Sequence, residues 1–277
     1  MKHITETTGG VDSAILRQYV RDGFLILRNF FRFDEELLDC FSKVLKKYTG
    51  ITLEQGAKYW TSDELHEAMI SLRINSPREF GLMYDEMNLK YSLHKIFYDD
   101  RLSDIVSSLM FIDRNDLVLT GQMLRLDSPV DDRNALKWHQ DSSYYIQNRG
   151  EDTGLVIWCP IVNVNKRNGT LQMIPGSHKV GEIKVPSQTF GPNSSEQFEI
   201  NERDLENIGL TQAVDFNAAP GDVGLFHMNL VHKSGTNKSG KFRIIAGCRA
   251  HNSRSRNFQV GKMNYVLSQS IQSMRSD

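Results

Sequence analysis

Between Val11 and Asp22 the apolar residues Ile15, Leu16 and Tyr19 recur at helical spacing, and Gly23 closes the pattern before the run Phe24-Leu25-Ile26-Leu27. A short amphipathic helix leading into a strand is the simplest reading. Asp34 to Lys47 repeats the helical period with Leu37, Leu38, Phe41 and Val44, and Asp34 offers a carboxylate to cap the first turn. Helix-compatible segments follow at 64–72, 77–94 and 103–110, so residues 1–115 are expected to be mainly helical.

After Asp116 the texture changes to β-branched and aromatic runs of strand length, separated by Gly, Pro, Asn and Asp turns. The best strand candidates are 117–126, 154–164, 170–174, 222–226 and 241–250. Many short strands without long intervening helices predict an antiparallel jelly roll and not a doubly wound parallel sheet. The fold class expected is therefore mainly β, a jelly-roll core at about 116–252 behind the helical part. With no internal repeat and no low-complexity linker, 1–277 is read as one domain. The polar segment 253–277 either packs as a terminal helix or frays.

Composition narrows the function classes. Apolar residues make up 39% and charged residues 24%, with a formal net charge of -1, which points away from disorder and from nucleic-acid binding. Residues 1–10 lack the apolar stretch of a signal peptide, and no later run has the roughly 18 apolar residues of a membrane span. A soluble, cytoplasmic protein is expected. Cys40, Cys159 and Cys248 are odd in number and far apart, so reduced thiols with packing roles are expected. Oligomeric state is left open by the pattern.

The candidate chemistry begins at Trp138-His139-Gln140-Asp141, where a histidine and a carboxylate two positions apart point to one side of an extended backbone. About ninety residues later, beyond the turn-and-strand pattern of 220–226, Val231-His232-Lys233-Ser234-Gly235 offers a second histidine. Two imidazoles and one carboxylate on a face leave three octahedral positions open, an arrangement associated with Fe(II) oxygenases. The same donors occur at catalytic zinc. Arg243, on the strand after His232, suits a carboxylate gripped through two parallel hydrogen bonds, and Ser234 could add a hydroxyl to it.

These pieces resemble the phytanoyl-CoA dioxygenase family of 2-oxoglutarate oxygenases. The matching residues are His139-Gln140-Asp141, Asn168-Gly169-Thr170-Leu171 leading to Ile174-Pro175-Gly176-Ser177-His178-Lys179, then Gly221-Asp222, and finally His232-Lys233-Ser234 with Arg243. They run from Gln122 to about His251. The resemblance implies a double-stranded β-helix, cupin-like, with an N-terminal helical buttress. It implies Fe(II) held by His139, Asp141 and His232, with 2-oxoglutarate and O2 as cosubstrates. Arg243 and Ser234 would bind 2-oxoglutarate, and Met123 and Trp158 would line its pocket. The family uses the turn holding His178 structurally. Halogenating relatives carry a small residue in place of the carboxylate, so Asp141 favours hydroxylation of an unactivated C-H bond, with succinate and CO2 released. Desaturation, cyclisation and epoxidation stay open as outcomes.

Two rivals are a zinc-dependent hydrolase and a non-enzymatic jelly-roll binding module. Arg243 and the lack of an obvious general-base motif weigh against the first, and the complete ligand set against the second. For the substrate, alternation from Met123 places Arg125 on the same face, and alternation from Arg243 does so for Arg249. Either would meet a polar or anionic small molecule, and the plainer reading pairs each with a local carboxylate. Tyr144, Tyr145 and Lys58-Tyr59-Trp60 are candidates for a lid or wall, or for packing. No adenine or pantetheine signature is visible, which favours a small polar metabolite over a CoA thioester.

Overall fold

The computed structural model describes residues 11–32, 35–52, 59–130, 135–145, 147, 154–189 and 196–260. Asp34, Lys58 and residues 261–277, named above, lie outside them. The chain opens with helix α1 (Ser13–Asp22), strand β1 (Phe24–Leu27) and helix α2 (Glu35–Thr49), followed by α3 (Asp63–Asn75), α4 (Pro77–Asn88), α5 (Tyr91–Lys95) and α6 (Asp100–Met110). Asp12 caps α1 by accepting from the Ala14 amide at 2.9 Å, and Gly23 ends it in the left-handed region at φ 81. The helix expected over 77–94 is divided. Asn88 ends α4, and its side-chain oxygen instead accepts from the Leu124 amide at 2.6 Å, tying the helices to the sheet.

The strands are β2 (Leu117–Asp127), β3 (Leu155–Pro160), β4 (Leu171–Met173), β5 (Gln188–Thr189), β6 (Glu196–Gln197), β7 (Val214–Asp215), β8 (Val223–His227), β9 (His232–Ser234) and β10 (Arg243–Asn252), with helix α7 (Glu202–Asn207) between β6 and β7. An antiparallel sheet runs β1-β8-β3-β10-β2, and a second runs β7-β4-β9. The candidate strands 117–126, 170–174, 222–226 and 241–250 agree with β2, β4, β8 and β10 to within a few residues, whereas that at 154–164 stops at Pro160. Helical residues outnumber strand residues, so the architecture is mixed α and β around a sheet-rich antiparallel core, not mainly β. Among the described residues no helix is long and apolar enough to cross a membrane.

Alternation along the strands separates two cores. Leu155, Ile157 and Cys159 of β3, with Leu225 of β8 and Ile244, Ala246, Cys248 and Ala250 of β10, bury one face of the large sheet against the apolar sides of α1 to α6. Val156 and Trp158 of β3, Phe226 of β8 and Ile245 of β10 point the other way, toward Leu171 and Met173 of the small sheet. The parity changes once, in β2. Between the Gly247–Met123 and Arg249–Thr120 pairs, two residues of β2, Gly121 and Gln122, oppose one of β10, Cys248, and Gly121 absorbs the extra residue at φ 61. Leu119 and Leu124 thereby both face the helices, while Met123, Arg125 and Asp127 share the inner face. All three cysteines are free, with Cys159 and Cys248 buried and Cys40 half-buried.

Candidate metal centre

His139 and His232 come together through backbone pairing. Their amides and carbonyls exchange hydrogen bonds of 2.9 and 3.0 Å, the reciprocal pair of an antiparallel ladder, and the two side chains lie on one side with ring centroids 4.2 Å apart. Each ring donates from Nδ1 to a carbonyl two residues earlier, Lys137 at 2.6 Å and Leu230 at 2.9 Å. That leaves Nε2 of both rings directed at the same place. Gln140 between His139 and Asp141 is extended (φ -117, ψ 138), which returns Asp141 to the side of His139. Asp141 Oδ1 lies 3.4 Å from His139 Nε2 and 3.5 Å from His232 Nε2. Among the described residues, these form the one group of three metal-capable side chains whose ligand atoms all lie within 4.8 Å.

All three side chains are buried, and the protonation of His232 and Asp141 follows from their surroundings. Burial, with His139 beside it, lowers the His232 imidazole to about 3 and keeps it neutral. Burial alone would raise the Asp141 carboxyl, but Arg249 foremost, and the two histidines, hold it well below the usual carboxylate range. Two imidazole nitrogens and an ionised oxygen form a donor set that suits a divalent first-row metal.

Sequence reasoning gave no role to Gln140, which helps hold this set. Gln140 is fully buried and makes three hydrogen bonds, donating to the carbonyls of Gly181 at 2.8 Å and Asn229 at 2.7 Å and accepting from the Ile183 amide at 2.7 Å. It fastens the short segment carrying His139 and Asp141 to two other loops. Its only sequence signal is an amide side chain between two ligand-type residues.

Arg243 is 1% exposed on the inner face of β10. Its Nε and Nη2 both donate to Asp127 Oδ2, at 2.8 and 2.6 Å. Two of the donors expected for a cosubstrate carboxylate thus converge on one oxygen of a protein carboxylate, while Nη1 is buried without a hydrogen-bond partner. Arg125 engages the other oxygen of Asp127, Nε to Oδ1 at 2.8 Å, and its Nη2 reaches Ser234 Oγ at 3.5 Å. Asp127 is therefore a bridge between two arginines. Burial would raise its carboxyl, and the two guanidiniums outweigh that and lower it. Ser234 pairs with Leu171 across the small sheet, and Met123 lies opposite Gly247 on the large one. Trp158 packs edge-to-face on Phe216, centroids 5.5 Å apart, within the inner core.

The two arginines named for an anionic substrate are both engaged by carboxylates, Arg125 by the local Asp127 and Arg249 by the distant Asp141. Tyr145 lies under Arg249, its ring 4.8 Å from the guanidinium carbon, and 6.0 Å from the His251 ring. Tyr144 meets His139 edge-on at 5.6 Å, and its hydroxyl accepts from the Phe198 amide at 3.0 Å, so it stands beside the candidate ligands. Trp60 does not: it is buried in the helical layer against Phe41 at 5.2 Å. His178 stands apart from the metal candidates, beside His227 at 5.3 Å and the Val20 carbonyl at 3.2 Å.

An antiparallel, sheet-rich core with two histidines and a carboxylate gathered on its inner face defines a protein of the non-haem metal oxygenase class. Comparison with known proteins gives the family: its model, phytanoyl-CoA dioxygenase, matches residues 19–245, and the chain belongs to that family. It is a 2-oxoglutarate-dependent dioxygenase, and the family's cofactors are Fe(II) and 2-oxoglutarate. A probable phytanoyl-CoA dioxygenase of Caenorhabditis elegans is 24% identical over 252 residues, 87% of this chain and 75% of the relative. The human peroxisomal phytanoyl-CoA dioxygenase is 32% identical over 113 residues, 40% of this chain and 31% of the human protein. Among solved structures, EctD from S. alaskensis in its apo form superposes with a TM-score of 0.57 at 19% identity, covering 94% of this chain and 85% of EctD. The non-haem monooxygenase ThoJ gives 0.55 at 19% identity, covering 87% and 78%. EctD is also known with bound Fe, and with 2-oxoglutarate and 5-hydroxyectoine.

Proposed function

We propose that this chain hydroxylates an unactivated C-H bond of a small molecule, releasing succinate and CO2, with Fe(II) held by His139, Asp141 and His232. In this reading the two sheets are the halves of a double-stranded β-helix, the N-terminal helices buttress it, and 1–277 works as one domain in the cytoplasm. The observation that carries the proposal is the gathering of three buried ligand atoms within 4.8 Å of one another; Arg243 Nη1, buried without a hydrogen-bond partner, supplies a separate donor for an anion.

The bound iron, with 2-oxoglutarate and O2, supplies the oxidising power. The rest is done by side chains. His139 and His232 present lone pairs from Nε2 because their Nδ1 protons are committed to carbonyls. Asp141 contributes a charge that is already ionised. Arg243 Nη1, helped by Ser234 and by Met123 and Trp158 as walls, receives the distal carboxylate of 2-oxoglutarate. Tyr144 and Tyr145 shield the opposite side from water and bound the space for the substrate.

The test is to purify the protein anaerobically, measure the metal it retains, and add 2-oxoglutarate. Retained iron with a visible charge-transfer band is expected, and His232→Ala is expected to lose both while keeping its far-ultraviolet circular dichroism. Retained zinc without the band would point to a hydrolase, and no metal affinity at all to a binding module.

A further inference from the structure

The carboxylate of Asp141 is held on the side away from the histidines. Its Oδ2 accepts two hydrogen bonds from one guanidinium, from Arg249 Nε at 2.8 Å and from Nη2 at 2.7 Å. Its Oδ1 faces the two imidazoles. We propose that Arg249 is a positioning residue of the metal centre: it caps Asp141 Oδ2 so that the carboxylate offers the metal a single oxygen, Oδ1. This rests on the reading of His139, Asp141 and His232 as metal ligands.

A carboxylate left to itself binds a divalent ion through either oxygen or through both, and rotates between these modes. Two charge-assisted hydrogen bonds converging on one oxygen remove that freedom. Only an arginine does this here, because Nε and Nη2 form a rigid edge that a lysine ammonium lacks. Arg249 is in turn constrained. It sits within the run of β10 that is hydrogen-bonded on both sides, opposite Val156 of β3 and Thr120 of β2, and its guanidinium lies over the Tyr145 ring. The partners are 108 positions apart, so the contact is made by the folded sheet and not by local sequence. It reassigns Arg249 from the substrate to the metal, and it accounts for a guanidinium only 17% exposed that would otherwise be costly to hold there.

The experiment measures Co(II) binding to the metal-free protein by visible absorption, which needs neither cosubstrate nor turnover. Arg249→Gln is expected to bind Co(II) 10 to 100 times more weakly, the usual effect of losing a partner behind a metal ligand. Its Co(II) spectrum should also change, because the carboxylate regains its second oxygen. Arg249→Lys should recover part of the affinity without restoring the spectrum. Wild-type affinity and spectrum in Arg249→Gln would overturn the proposal, as would a variant defective only in substrate-stimulated succinate formation. If Arg249→Gln does not fold, Arg249→Lys decides alone: weakened binding supports the clamp, and wild-type binding with a wild-type spectrum refutes it. His232→Ala is measured alongside. Should His232→Ala bind Co(II) normally, the ligand assignment itself fails; should it lose Co(II) while Arg249→Gln does not, only the clamp fails.

Discussion

The two faces of β10 solve opposite problems with adjacent residues. Ile244, Ala246, Cys248 and Ala250 lie against the helices and are fully buried without a polar side-chain requirement. Such a face is held by removal of apolar surface from water, roughly 25 cal/mol per Å2, and depends on shape and volume. Arg243 and His251, fully buried, and Arg249, partly exposed, lie on the other face, and each needs a specific partner: Asp127 for Arg243, Asp141 for Arg249 and, for the His251 Nε2, the Thr120 hydroxyl at 2.8 Å. A buried charge without its partner is far more expensive than a missing methyl group. The outer face is thus replaceable in kind, and the inner face is specified residue by residue.

The most severe test of that contrast is Asp127→Ala, which leaves Arg125 and Arg243 facing one another without their shared counter-charge. A loss of about 3 to 5 kcal/mol in urea unfolding is expected, and an undiminished midpoint would show that solvent reaches the pair. Arg243→Ala keeps the Arg125–Asp127 pair, so it is expected to fold and to fail in binding. The apparent Michaelis constant for 2-oxoglutarate should rise by the equivalent of about 2 to 5 kcal/mol, with Arg243→Lys only partly restored. An unchanged constant in both would remove Arg243 from the cosubstrate site.

A milder effect is expected from pH. Burial foremost, and Arg249 nearby, lower the His251 imidazole to about 4. The unfolded chain, titrating near 6.5, takes up its proton first, so this part of the stability is complete above about pH 6.5 and drains away as pH falls toward 4. Between pH 7 and 5 the metal-free protein should lose about 2 kcal/mol through His251, and His251→Gln should flatten that slope. His232, lowered in the same direction, adds to it. The smallest effect belongs to the outer face: Ile244→Val should cost about 0.5 to 1.5 kcal/mol and leave the 2-oxoglutarate constant untouched. A shift in that constant would mean that the two faces are coupled.

What was legible along the chain was local. The period of Ile15, Leu16 and Tyr19 marked α1, and the alternation in β2 and β10 marked both strands and put Arg125 and Arg249 on the inner face. The His139-x-Asp141 spacing worked because an extended Gln140 returns the third residue to the same side. Local pattern failed where a side chain answers to a distant partner. An expected helix ends at Asn88, whose side chain is tied to Leu124, and Trp60, read as a possible wall, is claimed by Phe41 in the helical layer. The sheet-based expectation of a mainly β chain gave too little weight to the helices needed to cover the outer face of the large sheet.

Residue identities and short-range periodicity by themselves marked most of the elements, the inward set of polar residues and the His139-x-Asp141 pair, because backbone geometry translates a spacing of two or of three to four directly into a shared face; that His232 joins them was decided by the His139–His232 bridge. Which partner each inward charge has was decided only by the tertiary structure. Arg243 meets Asp127 across 116 positions and Arg249 meets Asp141 across 108, because antiparallel pairing of β10 with β2 and the His139–His232 bridge bring those segments side by side. No period along the chain encodes that register, whereas burial compels every such charge to find its counterpart.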